Sequence, residues 1–118
     1  NPRLSNWCVH DLNIDPVCPF PQAEFDYALI TVSIQYLIKP IEVLASIRRS
    51  LKPDGQISIA MSHRCFPTKA ISAFQMLPAE QRIELVKTYL EQAGFSSSEF
   101  HDRSPQSGDP LWIVTGKA

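Results

Sequence analysis

Two kinds of apolar spacing divide the chain. Between residues 25 and 62, two apolar runs at 27–32 and 57–61 flank a segment in which Ile41, Leu44, Ile47 and Leu51 recur at helical spacing. The first run is continuous rather than alternating, the pattern of a strand covered on both faces. Glu42, Arg48 and Arg49 fall off the stripe into solvent, as an amphipathic helix requires. Pro40 fits the first turn of that helix, where its missing N–H costs nothing. Lys52-Pro53-Asp54-Gly55 ends it, because Pro53 disfavours helical geometry at Lys52 and Gly55 permits a sharp turn. Strand, helix, turn, strand is a βαβ unit, with 27–32 and 56–62 as adjacent parallel strands and a right-handed crossover. Ligands of such open sheets bind beyond the carboxyl ends of the strands, here residues 31–36 and 62–65.

Around this unit the pattern is less regular. Residues 7–10, Trp-Cys-Val-His, read as a short strand stopped by Asp11-Leu12-Asn13. Residues 14–24 hold Pro16, Pro19 and Pro21 and form an irregular connection with Phe20 as its apolar anchor. Thr68 caps a short helix with Ala70, Ile71, Phe74 and Leu77 on its apolar side. Pro78 opens a longer one, whose stripe is Ile83, Val86, Leu90 and Ala93 and whose stop is Gly94. Residues 95–103 and 111–115 contain the last two strands. They are joined by turn residues with no helix between them, so they are antiparallel neighbours.

Composition narrows the class. The chain has 118 residues, 44% hydrophobic and 19% charged, which is one globular domain with a real core. A net charge of −1 gives no footprint for nucleic acid or an anionic membrane. No apolar run is long enough to span a bilayer. Cys8, Cys18 and Cys65 are an odd number without a C-x-x-C spacing, which points to a reducing, cytoplasmic setting rather than a disulfide framework. The first residues are Asn1-Pro2 and the only methionines are Met61 and Met76, so the sequence reads as a truncated piece of a longer protein. His63, Arg64 and Cys65, with Cys8 and His10, match no zinc spacing, and no metal site is expected.

Four stretches in combination carry a family resemblance. They are Asp11-Leu12-Asn13, Pro19-Phe20-Pro21 before Phe25-Asp26-Tyr27, Ser33-Ile34-Gln35-Tyr36-Leu37, and Leu51-Lys52-Pro53-Asp54-Gly55-Gln56. In this order they resemble the carboxyl-terminal part of class I S-adenosylmethionine-dependent methyltransferases of the type 11 group. The resemblance implies a partial Rossmann-like α/β sheet of parallel strands with a carboxyl-terminal antiparallel hairpin. Residues 7–10 would be its third strand, 27–32 its fourth and 56–62 its fifth. The first strand and glycine loop are missing, since the only glycines are Gly55, Gly94, Gly108 and Gly116. The resemblance also implies that Asp11 contacts the adenine of S-adenosylmethionine, with Leu12 beside the ring. On the same resemblance Thr31, Val32 and Ser33 would line the methionine part, and His63 and Arg64 would face the methyl acceptor; Tyr36, at the carboxyl end of the strand, is a candidate to shape the acceptor's pocket.

Each role has a plainer counterpart. Asp11 accepts a hydrogen bond from an exocyclic amine or from its own backbone in a turn. Tyr36 shapes a pocket or covers the helix beneath it. Asp26 bonds backbone at the strand start. His63 has a pKa suited to a general base and Arg64 a fork suited to an anion, but no catalytic residue is assigned.

The implied function is a methyltransferase piece acting, when intact, on an unidentified small molecule. With the glycine loop and ribose-binding acid missing, this chain alone should bind the cofactor weakly or not at all. The alternative is a non-enzymatic remnant serving as a binding or assembly module; a nicotinamide enzyme is disfavoured by the missing glycine fingerprint. With the first and second strands gone, residues 27–32 become an exposed edge, and a homodimer is expected.

Overall fold

The computed structural model describes residues 3–62 and 76–118. Its elements are β1 (Phe25–Thr31), a 3-10 turn (Ile34–Tyr36), α1 (Pro40–Ser50), β2 (Leu51–Met61), α2 (Ala79–Gln92), β3 (Ser97–Asp102) and β4 (Trp112–Lys117). The sheet order is β1-β2-β4-β3. β1 and β2 are parallel from Tyr27 opposite Gln56 to Thr31 opposite Ala60. β4 is antiparallel to β2 and to β3. This is the mixed α/β sheet that the resemblance implies, with parallel strands followed by an antiparallel hairpin.

α1 begins with Pro40 in its first turn and carries Glu42 near its amino end and Arg48 and Arg49 near its carboxyl end, charges placed to favour the helix dipole. Its buried face differs from the expected stripe. Val43 and Leu44 are fully buried while Ile41 is 39% exposed. Ser46 and Ser50 are buried with Val43, their hydroxyls satisfied by donating to Val43 O and Ile47 O of the same helix. α2 buries Ile83, Val86, Leu90 and Ala93. It ends as expected at Gly94, whose φ of 100° lets its N–H reach Glu91 O while Phe95 N–H reaches Leu90 O, the paired bonds of a Schellman stop.

Gly55 has a different role from the one expected. The left-handed residue of the turn is Asp54, with φ 66°. A Cβ on Gly55 would lie 2.9 Å from Lys52 O and 3.2 Å from Asp26 O, so close approach of the backbone is what demands glycine there. Residues 52–55 form an irregularity between the pairs Phe25–Leu51 and Tyr27–Gln56. Asp26 pairs with Lys52 at 3.5 Å rather than with backbone, and both are well exposed, so the bond adds little stability.

Both helices pack on one face of the sheet. There Ile57, Ile59 and Val114 are fully buried with Leu44, Val86 and Leu90. Burial of each such side chain stabilises the fold by about 1.5–3 kcal/mol. Among the described residues, β1 is therefore covered on one face only: Ala28 and Ile30 pack against the core, whereas Tyr27 and Leu29 are 73% and 77% exposed. That corrects the expectation of two covered faces.

Residues 7–10 are not a strand. Trp7 and Val9 are 75% and 91% exposed, and no strand pairs with them among the described residues. The short helix expected after Thr68 lies outside the described residues, as do His63, Arg64 and Cys65. Among the described residues, no helix is long and apolar enough to cross a membrane.

Candidate functional site

β1 delivers its carboxyl end to one side of a cleft. The last ladder bond runs from Val32 N–H to Ala60 O at 2.8 Å. Val32 then takes φ 46°, a left-handed conformation strained for a β-branched residue, and the chain turns sharply into the Ile34–Tyr36 turn. Ile34 is fully buried and holds the turn down. Ser33 sits at the turn's start with no capping bond from its side chain and lines the cleft.

The opposite wall is the loop that follows residues 7–10. Asp11 accepts from Asn13 N–H through Oδ1 at 2.9 Å and, through its carbonyl, from Ile14 and Asp15 N–H. This is the self-bonded turn weighed above, and it fixes where the carboxylate stands. His10 Nε2 lies 2.9 Å from Asp15 O and closes the same turn.

Asn13 joins the two walls. Its Nδ2 donates to Tyr36 O at 3.0 Å, and its Oδ1 accepts from Ile38 N–H at 2.9 Å. One side chain thus fastens the Asp11 loop to the segment after β1. Ser46 fastens the next stretch to α1. Its hydroxyl accepts from Cys18 N–H at 3.0 Å, donates to Val43 O at 2.8 Å, and has Pro16 O at 3.3 Å.

The cleft between the walls has a volume of about 640 Å³. Of the residues singled out from sequence, Asp11, Leu12, Thr31, Ser33 and Tyr36 line it together, while Val32 does not. His63 and Arg64 lie outside the described residues. Sequence reasoning missed Asn13 and Ser46, whose bonds span more than twenty residues and leave no local pattern. The only available signal was Asn13 itself, in the Asp-Leu-Asn stretch. Among the described residues no three His, Cys, Asp or Glu side chains gather as a metal site.

A second cleft, of about 770 Å³, opens at the start of β1 beside Trp7, Cys8, Phe20, Glu24 and Phe25. Phe20 meets Phe25 edge-on at 5.3 Å, so the expected anchor does hold the irregular connection to β1.

Comparison with known proteins gives this geometry a context. Residues 3–59, just under half of the chain, match the family described as "Methyltransferase domain". No curated protein matches the chain. Among solved structures, a S-adenosylmethionine-dependent methyltransferase from Aquifex aeolicus aligns with 95% of this chain and 54% of its own, at 16% identity and a TM-score of 0.66. The cyclase SpnF aligns with 86% of this chain and 53% of its own, at 19% identity and a TM-score of 0.62. Phosphoethanolamine N-methyltransferase 2 from Haemonchus contortus, in complex with S-adenosyl-L-methionine, aligns with 83% of this chain and 34% of its own, at 14% identity and a TM-score of 0.57. The chain thus spans from a third to just over half of those structures. Residues 3–59 thus match the methyltransferase-domain family, and the chain's fold is like that of part of the S-adenosylmethionine-dependent methyltransferase from Aquifex aeolicus.

Proposed function

We propose that this chain supplies one side of an S-adenosylmethionine site in a protein that transfers a methyl group to a small-molecule acceptor. The observation that carries this reading is the convergence of Asp11, Leu12, Thr31, Ser33 and Tyr36 on one cleft beyond the carboxyl end of β1. The residues present fit the adenine end of the cofactor. Asn13 N–H engages one oxygen of the Asp11 carboxylate, which has further acceptor capacity for an exocyclic amine. Leu12, half-buried beside it, offers an apolar contact. Thr31, Val32 and Ser33 are assigned to the methionine part, and Tyr36, His63 and Arg64 to the acceptor. When bound, the cofactor supplies an electrophilic methyl group. The chain's own contribution is to hold and align, with no side chain assigned as base.

The Haemonchus structure was solved with S-adenosyl-L-methionine bound, which supports the choice of cofactor. The likeness to a cyclase shows that this fold serves other reactions, so the acceptor follows from neither. A reducing, cytoplasmic setting accompanies the reading, since Cys8 and Cys18 are free thiols. The second reading, a non-enzymatic binding or assembly module, draws on the exposed apolar side chains of Tyr27 and Leu29.

Ligand-observed NMR with adenosine, inosine and S-adenosylhomocysteine separates the two. The cofactor reading expects adenosine and S-adenosylhomocysteine to bind more weakly than micromolar, that is, by less than about 8 kcal/mol. Inosine, which lacks the exocyclic amine, binds less well, and Asp11→Asn removes the preference. Equal response to adenosine and inosine favours the assembly module.

A further inference from the structure

β1 leaves its ladder with β2 abruptly at Val32. Val32 N–H still donates to Ala60 O at 2.8 Å. In a parallel ladder that bond is followed by one from Ser62 N–H back to Val32 O. Among the described residues, no backbone bond from Ser62 reaches Val32 O. Val32 instead takes φ 46°, a conformation that β-branched residues avoid. Ser62 also carries a buried hydroxyl with no partner among the described residues. The departure gives up a ladder bond and strains a residue, so it persists only if the surroundings hold the turn.

Gln35 is the side chain placed to hold it. It is 5% exposed, and its Nε2 donates to Val32 O at 3.4 Å. The bond is long, but at so buried a site water competes little for either group. Burying an amide costs free energy that a leucine or methionine of similar size does not incur, so filling space does not by itself account for glutamine here. We propose that Gln35 is a positioning residue for the cleft. Its amide caps the Val32 carbonyl in place of Ser62 N–H, ends β1 there and holds the left-handed turn.

The turn decides which groups reach the cleft. Ser33 and Tyr36 line it, and Tyr36 O receives the Asn13 bond from the opposite wall. With Val32 extended, β1 would run on along β2, carrying Ser33 past the cleft and Tyr36 O away from Asn13. Gln35 does not line the cleft, so it acts through Val32 rather than on a ligand. What the cleft binds rests on the cofactor reading. The cap does not, since its bonds lie within the chain.

NMR of the chain without ligand tests the cap, alongside Gln35→Met and the same change combined with Val32→Gly. In the native chain Val32 should show the strong intraresidue amide–Hα NOE of a left-handed residue. Gln35→Met, of similar volume but without a donor, should lose it. Tyr36 N–H, which donates to Ser33 O at 3.1 Å, should then exchange roughly two- to tenfold faster. Ser62 N–H should exchange more slowly as it takes up Val32 O. Glycine adopts positive φ without a cap, so adding Val32→Gly should return Tyr36 exchange to its native rate. A packing role for Gln35 predicts no such rescue from position 32. A native Val32 without the left-handed NOE, an NOE that survives Gln35→Met, or a Tyr36 amide that Val32→Gly fails to restore would overturn the proposal. Equal responses to adenosine and inosine would count against the cofactor reading instead and leave these readouts untouched.

Discussion

Asn13→Ala tests how the site is held together. The substitution removes two neutral hydrogen bonds, to Tyr36 O at 3.0 Å and from Ile38 N–H at 2.9 Å. Each such bond contributes about 0.5–1.5 kcal/mol net. Both are exposed, so the lower half of that range applies, and the pair should be worth about 1–2 kcal/mol. In urea, with a slope of about 1–2 kcal/mol per molar for a chain of this size, the unfolding midpoint should fall by about 1 M. Hydrogen exchange at the Ile38 amide should quicken well beyond that of the α1 amides, because the bond broken is local. Asn13→Asp keeps an acceptor for Ile38 N–H but sets a carboxylate oxygen against the Tyr36 carbonyl, so it does not rescue. A midpoint shift within about 0.3 M, with Ile38 exchange unchanged, would refute the claim that this side chain joins the two walls.

Three further outcomes are expected. Leu44→Ala should cost about 2–5 kcal/mol in urea unfolding, and Ile41→Ala far less, because Leu44 is fully buried while Ile41 is well exposed. Gly55→Ala should destabilise by about 1–3 kcal/mol by the same assay, since its Cβ meets the Lys52 and Asp26 carbonyl oxygens. Hydrogen bonds from Ser104, side chain first and backbone second, hold the Asp102 carboxyl below the ordinary carboxylate value. A depressed folded pKa contributes stability above the unfolded value that is lost as pH falls through the folded one. Carboxyl NMR titration should therefore find Asp102 still ionised below the usual Asp range, and Ser104→Ala should move it back up.

The central βαβ unit was legible because its signals agree at every level. Pro40 marks the helix start, and two apolar runs bracket one amphipathic stripe. α2 was legible in full, from the Ile83, Val86, Leu90 and Ala93 stripe to its Gly94 stop. The antiparallel pairing of the last two strands followed from their short connection, with bounds a residue or two away from those observed. Residues 7–10 failed for a physical reason. Four residues of mixed polarity make a strand only where a neighbouring edge accepts them, and sequence spacing does not report that neighbour. The continuous run at 27–32 misled in the same way: its hydrophobicity is real, but helices cover only the Ala28 and Ile30 side. At the site, the residues nearest the strand end were found from their position. Asn13 and Ser46 were not, because a side-chain bond to distant backbone has no period to detect.

Amide-resolved NMR of the chain titrated with S-adenosylhomocysteine tests the account most directly. The cleft predicts saturable shifts concentrated at residues 10–13 and 29–36, with binding weaker than micromolar, since the chain supplies one wall of the site. Saturable shifts centred on the β3–β4 hairpin or on the Trp7–Phe25 cleft would contradict it.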